Sequence, residues 1–259
     1  MTSSSAPESG VRVDRPPVSA APARSDRGPL AEVGFVVLGL VGYLLVRWYT
    51  LDRTDEATAN ARDVLALEES LALDLEHALQ RTTVTSASWL ADVATHFYVW
   101  GYLPVLVTAT IWLYVRHRDH YRTLRNALLA SGVVGLVIYA LYPVAPPWIT
   151  DDRFHDTVAN ASLEAFARPA GIMNELGAMP SFHCAWLTLA AAVVFTATRS
   201  RVLRVAAVAW PAFMCFAVVV TGNHWLLDLP AGLALAGLGL LAAFAVSTAR
   251  RTSTGAGQG

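Results

Sequence analysis

Six long apolar runs alternate with short polar stretches along the 259 residues. They cover about residues 29–48, 89–115, 127–143, 182–198, 205–221 and 225–247, each near the roughly 20 residues that carry a helix across a bilayer. The third to fifth are short, so their ends extend into the interface. The pattern predicts an all-α fold, a polytopic membrane helix bundle with six transmembrane helices, over residues 29–249. Residues 1–28, rich in Ser, Pro, Ala and Arg without an apolar period, read as a disordered cytoplasmic tail. Residues 250–259 read as a second cytoplasmic tail. The first tail is too long and polar for a signal-peptide n-region, and the run behind it is too long for an h-region. That run therefore reads as an uncleaved anchor.

The stretch "ARDVLALEESLALDLEHALQ" between the first two runs has its own period. Val64, Leu67, Leu71, Leu75 and Leu79 recur at three- and four-residue steps, and carboxylates fill the other face. This is an amphipathic helical pattern. It fits a helix lying on the outer membrane surface and equally a helix packed on the spanning bundle.

Composition agrees with a membrane protein. The chain is 54% hydrophobic and 15% charged, against about a quarter charged in an average soluble domain. A net charge of −1 gives no hint of a nucleic-acid partner. Cys184 and Cys215 both fall inside apolar runs, which argues against a structural disulfide or a metal cluster.

All 19 basic side chains other than histidine are arginines, and their placement orients the bundle. With a cytoplasmic N-terminus, Arg12, Arg15, Arg24, Arg27, Arg116, Arg118, Arg122, Arg125, Arg199, Arg201, Arg204, Arg250 and Arg251 fall inside. The positive-inside rule is then met at every cytoplasmic segment. Trp48, Trp89, Trp148 and Trp225 fall near the outer edge, as interfacial indoles do, although Trp100 and Trp186 fit no belt. The expectation is a multi-pass cell-membrane protein with both termini cytoplasmic.

Helix parity then brings chemistry together. His183, in "GAMPSFHC", opens the fourth run at its outer end. His224 and Asp228, in "TGNHWLLDLPAG", open the sixth at the same face, four residues apart and so within side-chain reach. A neutral imidazole nitrogen can attack phosphorus while a carboxylate fixes the other ring nitrogen. A second histidine can protonate the leaving oxygen. Ser181 and backbone N–H groups at the helix start can bind phosphate oxygens. No metal or other cofactor is needed for this chemistry.

"PSFH" and "HWLLD" resemble the second and third motifs of the type 2 phosphatidic acid phosphatase superfamily, Pro-Ser-x-His and His-x-x-x-Asp. Within it, "YPVAPPW" (Tyr142 to Trp148) and "GAMPSFH" resemble the branch of inositol phosphorylceramide synthase, as "LEESLALDLEHALQ" and "YRTLRNALL" do more loosely. The resemblance covers about residues 30–247. It implies a six-helix bundle acting on a lipid phosphate at the extracytoplasmic membrane surface. His224 would be the nucleophile forming a phosphohistidine, Asp228 would orient it, and His183 would be the general acid. Ser181 would help to bind the phosphate. The acceptor would be water in a phosphatase, and inositol or another polyol in a transferase.

The chain also departs from the family pattern. The first motif, Lys-x6-Arg-Pro, has no lysine to supply it, and Val218 stands where the third motif has arginine. Arg118-x6-Arg125 has the right spacing but the wrong membrane face. Arg153 and Arg168, in the outer loop, are candidate phosphate clamps or ordinary loop charges, and Asn223 beside the nucleophile is a further candidate. Asp92 and His96 repeat the four-residue spacing and could border the pocket. The missing clamps leave open a second reading, a non-catalytic lipid-binding or transport-like protein on the same scaffold.

Overall fold

The computed structural model describes residues 28–73, 75–168 and 172–255. The tail at 1–27, Asp74, residues 169–171 (Pro169 among them) and residues 256–259 lie outside it. The described chain is helical. Helix α1 spans Pro29–Thr50, α2 Thr54–Ser70, α3 Glu76–Ser86, α4 Ser88–Trp100, α5 Leu103–Arg116 and α6 Arg118–Leu141. Three single turns follow, α7 (Pro147–Thr150), α8 (Thr157–Asn160) and α9 (Glu164–Ala167), and then α10 (Phe182–Ala197), α11 (Arg201–Val220) and α12 (Asp228–Gly255).

By length and composition, Leu30–Thr50, Arg118–Leu141, Arg201–Val220 and Asp228–Ala249 can each cross a membrane. The expected second span is broken: α4 and α5 meet at 48° and count as a fifth crossing only as a bent pair. The break has local causes. Pro104, in the first turn of α5, has no N–H to extend a helix through Gly101–Tyr102. The Gly101 carbonyl turns instead to the Trp210 indole, 2.8 Å away. The remaining expected span, α10, has 16 residues. It packs against α5, α6, α11 and α12 at the centre of the bundle.

Helix α6 begins nine residues before the apolar run that announced it, because its arginines find partners along the protein surface. The Arg118 guanidinium lies 3.6 Å from the Tyr114 ring centre. Arg125 Nη1 pairs with Glu32 Oε1 at 2.5 Å, and Tyr121 donates to the other oxygen of Glu32. This knot ties α1 to α6 at the end of the bundle away from Tyr139, whose hydroxyl reaches Pro180 O. The 14 residues from Arg125 to Tyr139 span about 21 Å of helix.

The amphipathic stretch forms two helices, α2 and α3, broken near Ala72 (φ 54°). Their apolar stripe faces outward: Leu67, Leu71, Leu75 and Leu79 are exposed. The inward face carries Ala57, Ala61, Val64, Thr83 and three long polar side chains, Glu68, Glu76 and Gln80, all buried. The carboxylates were expected on the outer face, and two of them are the most deeply buried acids of the pair. The alanines allow close approach to the 144–178 loops and Trp225, and the acids find backbone donors there.

Glycine matters at two places near those loops. A Cβ on Gly232 would lie 2.6 Å from Ser181 O, so α12 can cross the Ser181 turn only because none is present. Gly222 has φ +73°, a left-handed conformation open to glycine.

Candidate active site

Three chain segments meet at one end of the bundle: the turn opening α10, the turn between α11 and α12, and the 144–178 loops. In the first, Ser181 caps α10 by accepting from Cys184 N at 3.3 Å. Its own N–H donates to Asp228 O at 3.2 Å. His183 follows in the first turn of α10, its ring 4.7 Å from Tyr98 and 4.2 Å from Tyr102, centre to centre. The bend between α4 and α5 thus places an aromatic wall on either side of the break against one histidine.

The second turn is wound tightly. The N–H groups of Asn223 and His224 both return to Val218 O at 3.1 Å, which the left-handed Gly222 permits. His224 Nδ1 lies 3.0 Å from Asp228 Oδ2, and the same oxygen accepts from Trp225 N at 2.9 Å. A carboxylate can only accept, so Nδ1 carries the proton of the neutral ring and the Nε2 lone pair stays free. Ser181 Oγ sits 3.3 Å from Nε2. That oxygen already accepts from Cys184 N, and its hydroxyl proton can rotate toward Nε2 or toward a phosphoryl oxygen. The His183 and His224 rings stand 5.8 Å apart, centre to centre, inclined at 69°. Helix parity had anticipated this convergence.

The loops contribute a guanidinium. Arg168 grips Asp156 with both terminal nitrogens, and Nη2 also donates to Asn223 Oδ1 at 2.8 Å. Trp148 of the "APPW" segment lies against it, 4.4 Å from ring centre to Cζ. Asp156 caps α8, whose Thr157 hydroxyl meets Thr95 of α4. Arg168 is therefore buried and held from three sides, one residue from His224 along the turn. Asn223 is its partner, and its amide nitrogen returns to Thr221.

The other candidates are placed elsewhere. Arg153 is mostly exposed and pairs with Asp151. The Arg153 guanidinium holds the Asp151 carboxyl below the usual carboxylate range. Asp92 and His96 line an outward groove of about 460 Å³ with Phe97, Trp100 and Trp210, on the face of α4 opposite Tyr98. His96 Nδ1 there meets Asp92 O. Arg118 and Arg125 lie at the far end of α6. Among the described residues no three His, Cys, Asp or Glu side chains converge as metal ligands would. Cys184 and Cys215 are free thiols, 3.2 Å apart.

Several residues around the site were not singled out by sequence reasoning. Tyr98, Tyr102 and Asp156 belong here, as do Glu68, Glu76 and Gln80. For Asp156 a signal existed, an aspartate directly before a Thr-Val-Ala turn. For the two glutamates the leucine periodicity gave the face opposite the leucines, and nothing in the sequence marked that face as buried.

A family model described as the PAP2 superfamily matches residues 62–242. Comparisons with curated proteins and with solved structures return no match. The matched segment contains α3 to α11, most of α2 and α12, and every residue of the histidine, serine and arginine constellation. Members of this superfamily are typically phosphatases, and phosphatase or phosphotransferase activity is what membership suggests. With 181 of its 259 residues inside the match, the chain belongs to the PAP2 superfamily.

Proposed function

We propose that this chain is an integral membrane enzyme that hydrolyses or transfers a lipid phosphate ester through a phosphohistidine on His224. One observation carries the reading: the buried His224 ring has Nδ1 tied to Asp228 and Nε2 open beside Ser181 and the His183 ring. Nε2 attacks phosphorus, and the P–O bond to the lipid alcohol breaks. His183 gives its proton to the departing oxygen. It then takes a proton from water or a second alcohol, whose oxygen attacks the phosphohistidine and breaks the P–N bond. Arg168, with Ser181 Oγ, holds the phosphoryl oxygens, and Asn223 Oδ1 positions the Arg168 guanidinium. The arginine distribution supports an extracytoplasmic site.

The acceptor side of the reading rests on "YPVAPPW", the segment that resembles the inositol phosphorylceramide synthase branch. Trp148 covers Arg168, and Ala145 O receives the Trp225 indole N–H. This segment thus lines the turn that carries the nucleophile, where an inositol or other polyol head group would sit.

The test is purified protein in mixed micelles with ³²P-labelled phosphatidic acid and phosphatidylinositol, with and without added inositol. From phosphatidic acid, released phosphate marks hydrolysis and inositol phosphate marks transfer to inositol; from phosphatidylinositol, released inositol phosphate marks hydrolysis and a new phosphodiester marks transfer. Quenching in alkaline SDS should leave an acid-labile, alkali-stable label on wild type and none on His224→Ala. Turnover that survives His224→Ala refutes the mechanism.

A further inference from the structure

Three consecutive backbone N–H groups separate His224 from Asp228, and each ends on a different buried carboxyl. Trp225 N donates to Asp228 Oδ2 at 2.9 Å, Leu226 N to Glu76 Oε1 at 2.7 Å, and Leu227 N to Glu68 Oε1 at 2.7 Å. The orphan donors at the start of a helix ordinarily make an anion site. Here the protein's own acids close it, so phosphate is left to the Ser181 and Arg168 side of the imidazole. Neither glutamate has an arginine or histidine partner among the described residues. Glu68 Oε2 is buried without a hydrogen-bond partner. Burial, with the neighbouring Glu76 carboxyl next, pushes the Glu68 carboxyl up to about 9. One helical turn beyond Glu76, Gln80 extends the same face. It accepts from His155 N and donates to Val220 O, bracing the end of α11 against the Asp156 loop.

We propose that Glu68 and Glu76 are positioning residues for phosphoryl transfer, two buried carboxyls that clamp the turn backbone and so fix where the His224 ring points and which nitrogen it leaves free. The inference rests on the phosphohistidine reading for its consequence in catalysis, though not for its structural claim. The pair lies on α2 and α3, outside the motifs that carry the chemistry. Without it, the three N–H groups between His224 and Asp228 keep only Asp228 as a side-chain acceptor, whose Oδ2 already holds both the Trp225 N–H and the ring.

The experiment uses the full chain in micelles with ¹⁵N-imidazole histidine, the His224 signals being assigned by difference from His224→Ala. In wild type, His224 shows one neutral form protonated on Nδ1. Glu76→Ala and Glu68→Ala should each mix in the Nε2-protonated form. On phosphatidic acid they should lower kcat about ten- to a hundredfold, as a misplaced reactive group does, with KM nearly unchanged. Glu68→Gln keeps the acceptor for Leu227 and a donor toward Glu76, so it should restore the tautomer and recover most of the lost rate. If Glu76→Ala does not fold, Glu76→Asp loosens the same contact with the charge kept, and should mix the tautomers. Folded alanine or aspartate variants with the wild-type tautomer overturn the proposal, as does a Glu68→Gln that behaves like Glu68→Ala. If the phosphatase reading alone is wrong, wild type turns over no ester while the tautomer response remains.

Discussion

Asp228→Asn is the sharpest single perturbation of the catalytic reading. Asp228 is fully buried, and its Oδ2 accepts two hydrogen bonds, from His224 Nδ1 and Trp225 N. Asparagine has the same shape but one acceptor oxygen. With the amide NH₂ in the place of Oδ2, it forces the ring to accept at Nδ1, the proton moves to Nε2, and the lone pair that should attack phosphorus is gone; the Trp225 N–H is then also left buried and unpaired, which costs about 1–3 kcal/mol. With the oxygen in the place of Oδ2, both hydrogen bonds are kept. The carboxylate charge that stabilises the developing imidazolium is lost in both cases. A comparable Asp-to-Asn change behind a catalytic histidine lowers kcat roughly 10⁴-fold, equivalent to about 5.4 kcal/mol of barrier at 1.36 kcal/mol per tenfold. We expect kcat on phosphatidic acid to fall about 10³- to 10⁴-fold, with KM within severalfold of wild type. Thermal unfolding in detergent should shift by no more than a few degrees. The assay is initial-rate release of ³²P, with quench-trapped phosphoenzyme as the second readout. A folded Asp228→Asn that keeps a tenth or more of wild-type kcat refutes the assigned role.

Three further outcomes follow from the same geometry. Arg168→Lys cannot keep both Asp156 oxygens and Asn223 with one ammonium. It should lose about ten- to a hundredfold in kcat/KM on phosphatidic acid, while the same change at the exposed Arg153 loses far less. Gly222→Ala puts a Cβ at φ +73°, 3.0 Å from both Gln80 Nε2 and His155 O. Chemical denaturation should show a loss of at least roughly 1–3 kcal/mol. Glu68, raised from 4.5 to about 9 with Glu76 and Asp228 facing it, keeps its proton in the fold and loses it in the unfolded chain between those values. The native state then binds more protons, so stability falls as pH rises from about 5 to 9. Glu68→Gln, which cannot ionise, should flatten that slope in melting temperatures measured across the range.

Helix parity and the two histidine motifs could be read directly from the sequence because both depend on short-range spacing and on span count. Ser181, His183, His224 and Asp228 needed nothing more. The rest depended on tertiary partners that spacing does not encode. The start of α6 was hidden because Arg118, Arg122 and Arg125 depress hydropathy, although Glu32 and Tyr114 accommodate two of them. The break at Gly101–Tyr102 fell within one continuous apolar run, and its cause is an indole from α11. For α2 and α3 the leucine period left two readings open, a helix on the membrane surface or one packed on the bundle, and neither placed Glu68 and Glu76 inside. Here burial follows hydrogen-bonding demand: two donors in the turn, Leu226 N and Leu227 N, together with the end of α11 and the His155 loop, hold Glu68, Glu76 and Gln80 inside. Between Arg153 and Arg168 the sequence could not choose, and the choice was made by Asp156 and Asn223.

The charge balance around His224 bears on which esters the site prefers. Arg168 reaches the motif turn with Nη1 on Asp156 and both protons of Nη2 on Asp156 and Asn223. Of its five N–H donors, Nε–H and one on Nη1 stay without a protein acceptor among the described residues. Its positive charge is already paired with a carboxylate. Two donors and a largely compensated charge match a phosphodiester, with two non-bridging oxygens and one negative charge, better than a monoester dianion with three. Phosphatidylinositol and phosphatidic acid both release diacylglycerol, so the leaving alcohol is the same and the comparison isolates the phosphate. We expect the higher kcat/KM for the diester near pH 8, where the monoester is a dianion. Asp156→Asn removes the compensating charge, so the ratio should move toward the monoester. A wild-type preference for phosphatidic acid that Asp156→Asn leaves untouched would show that charge compensation at Arg168 does not set the substrate.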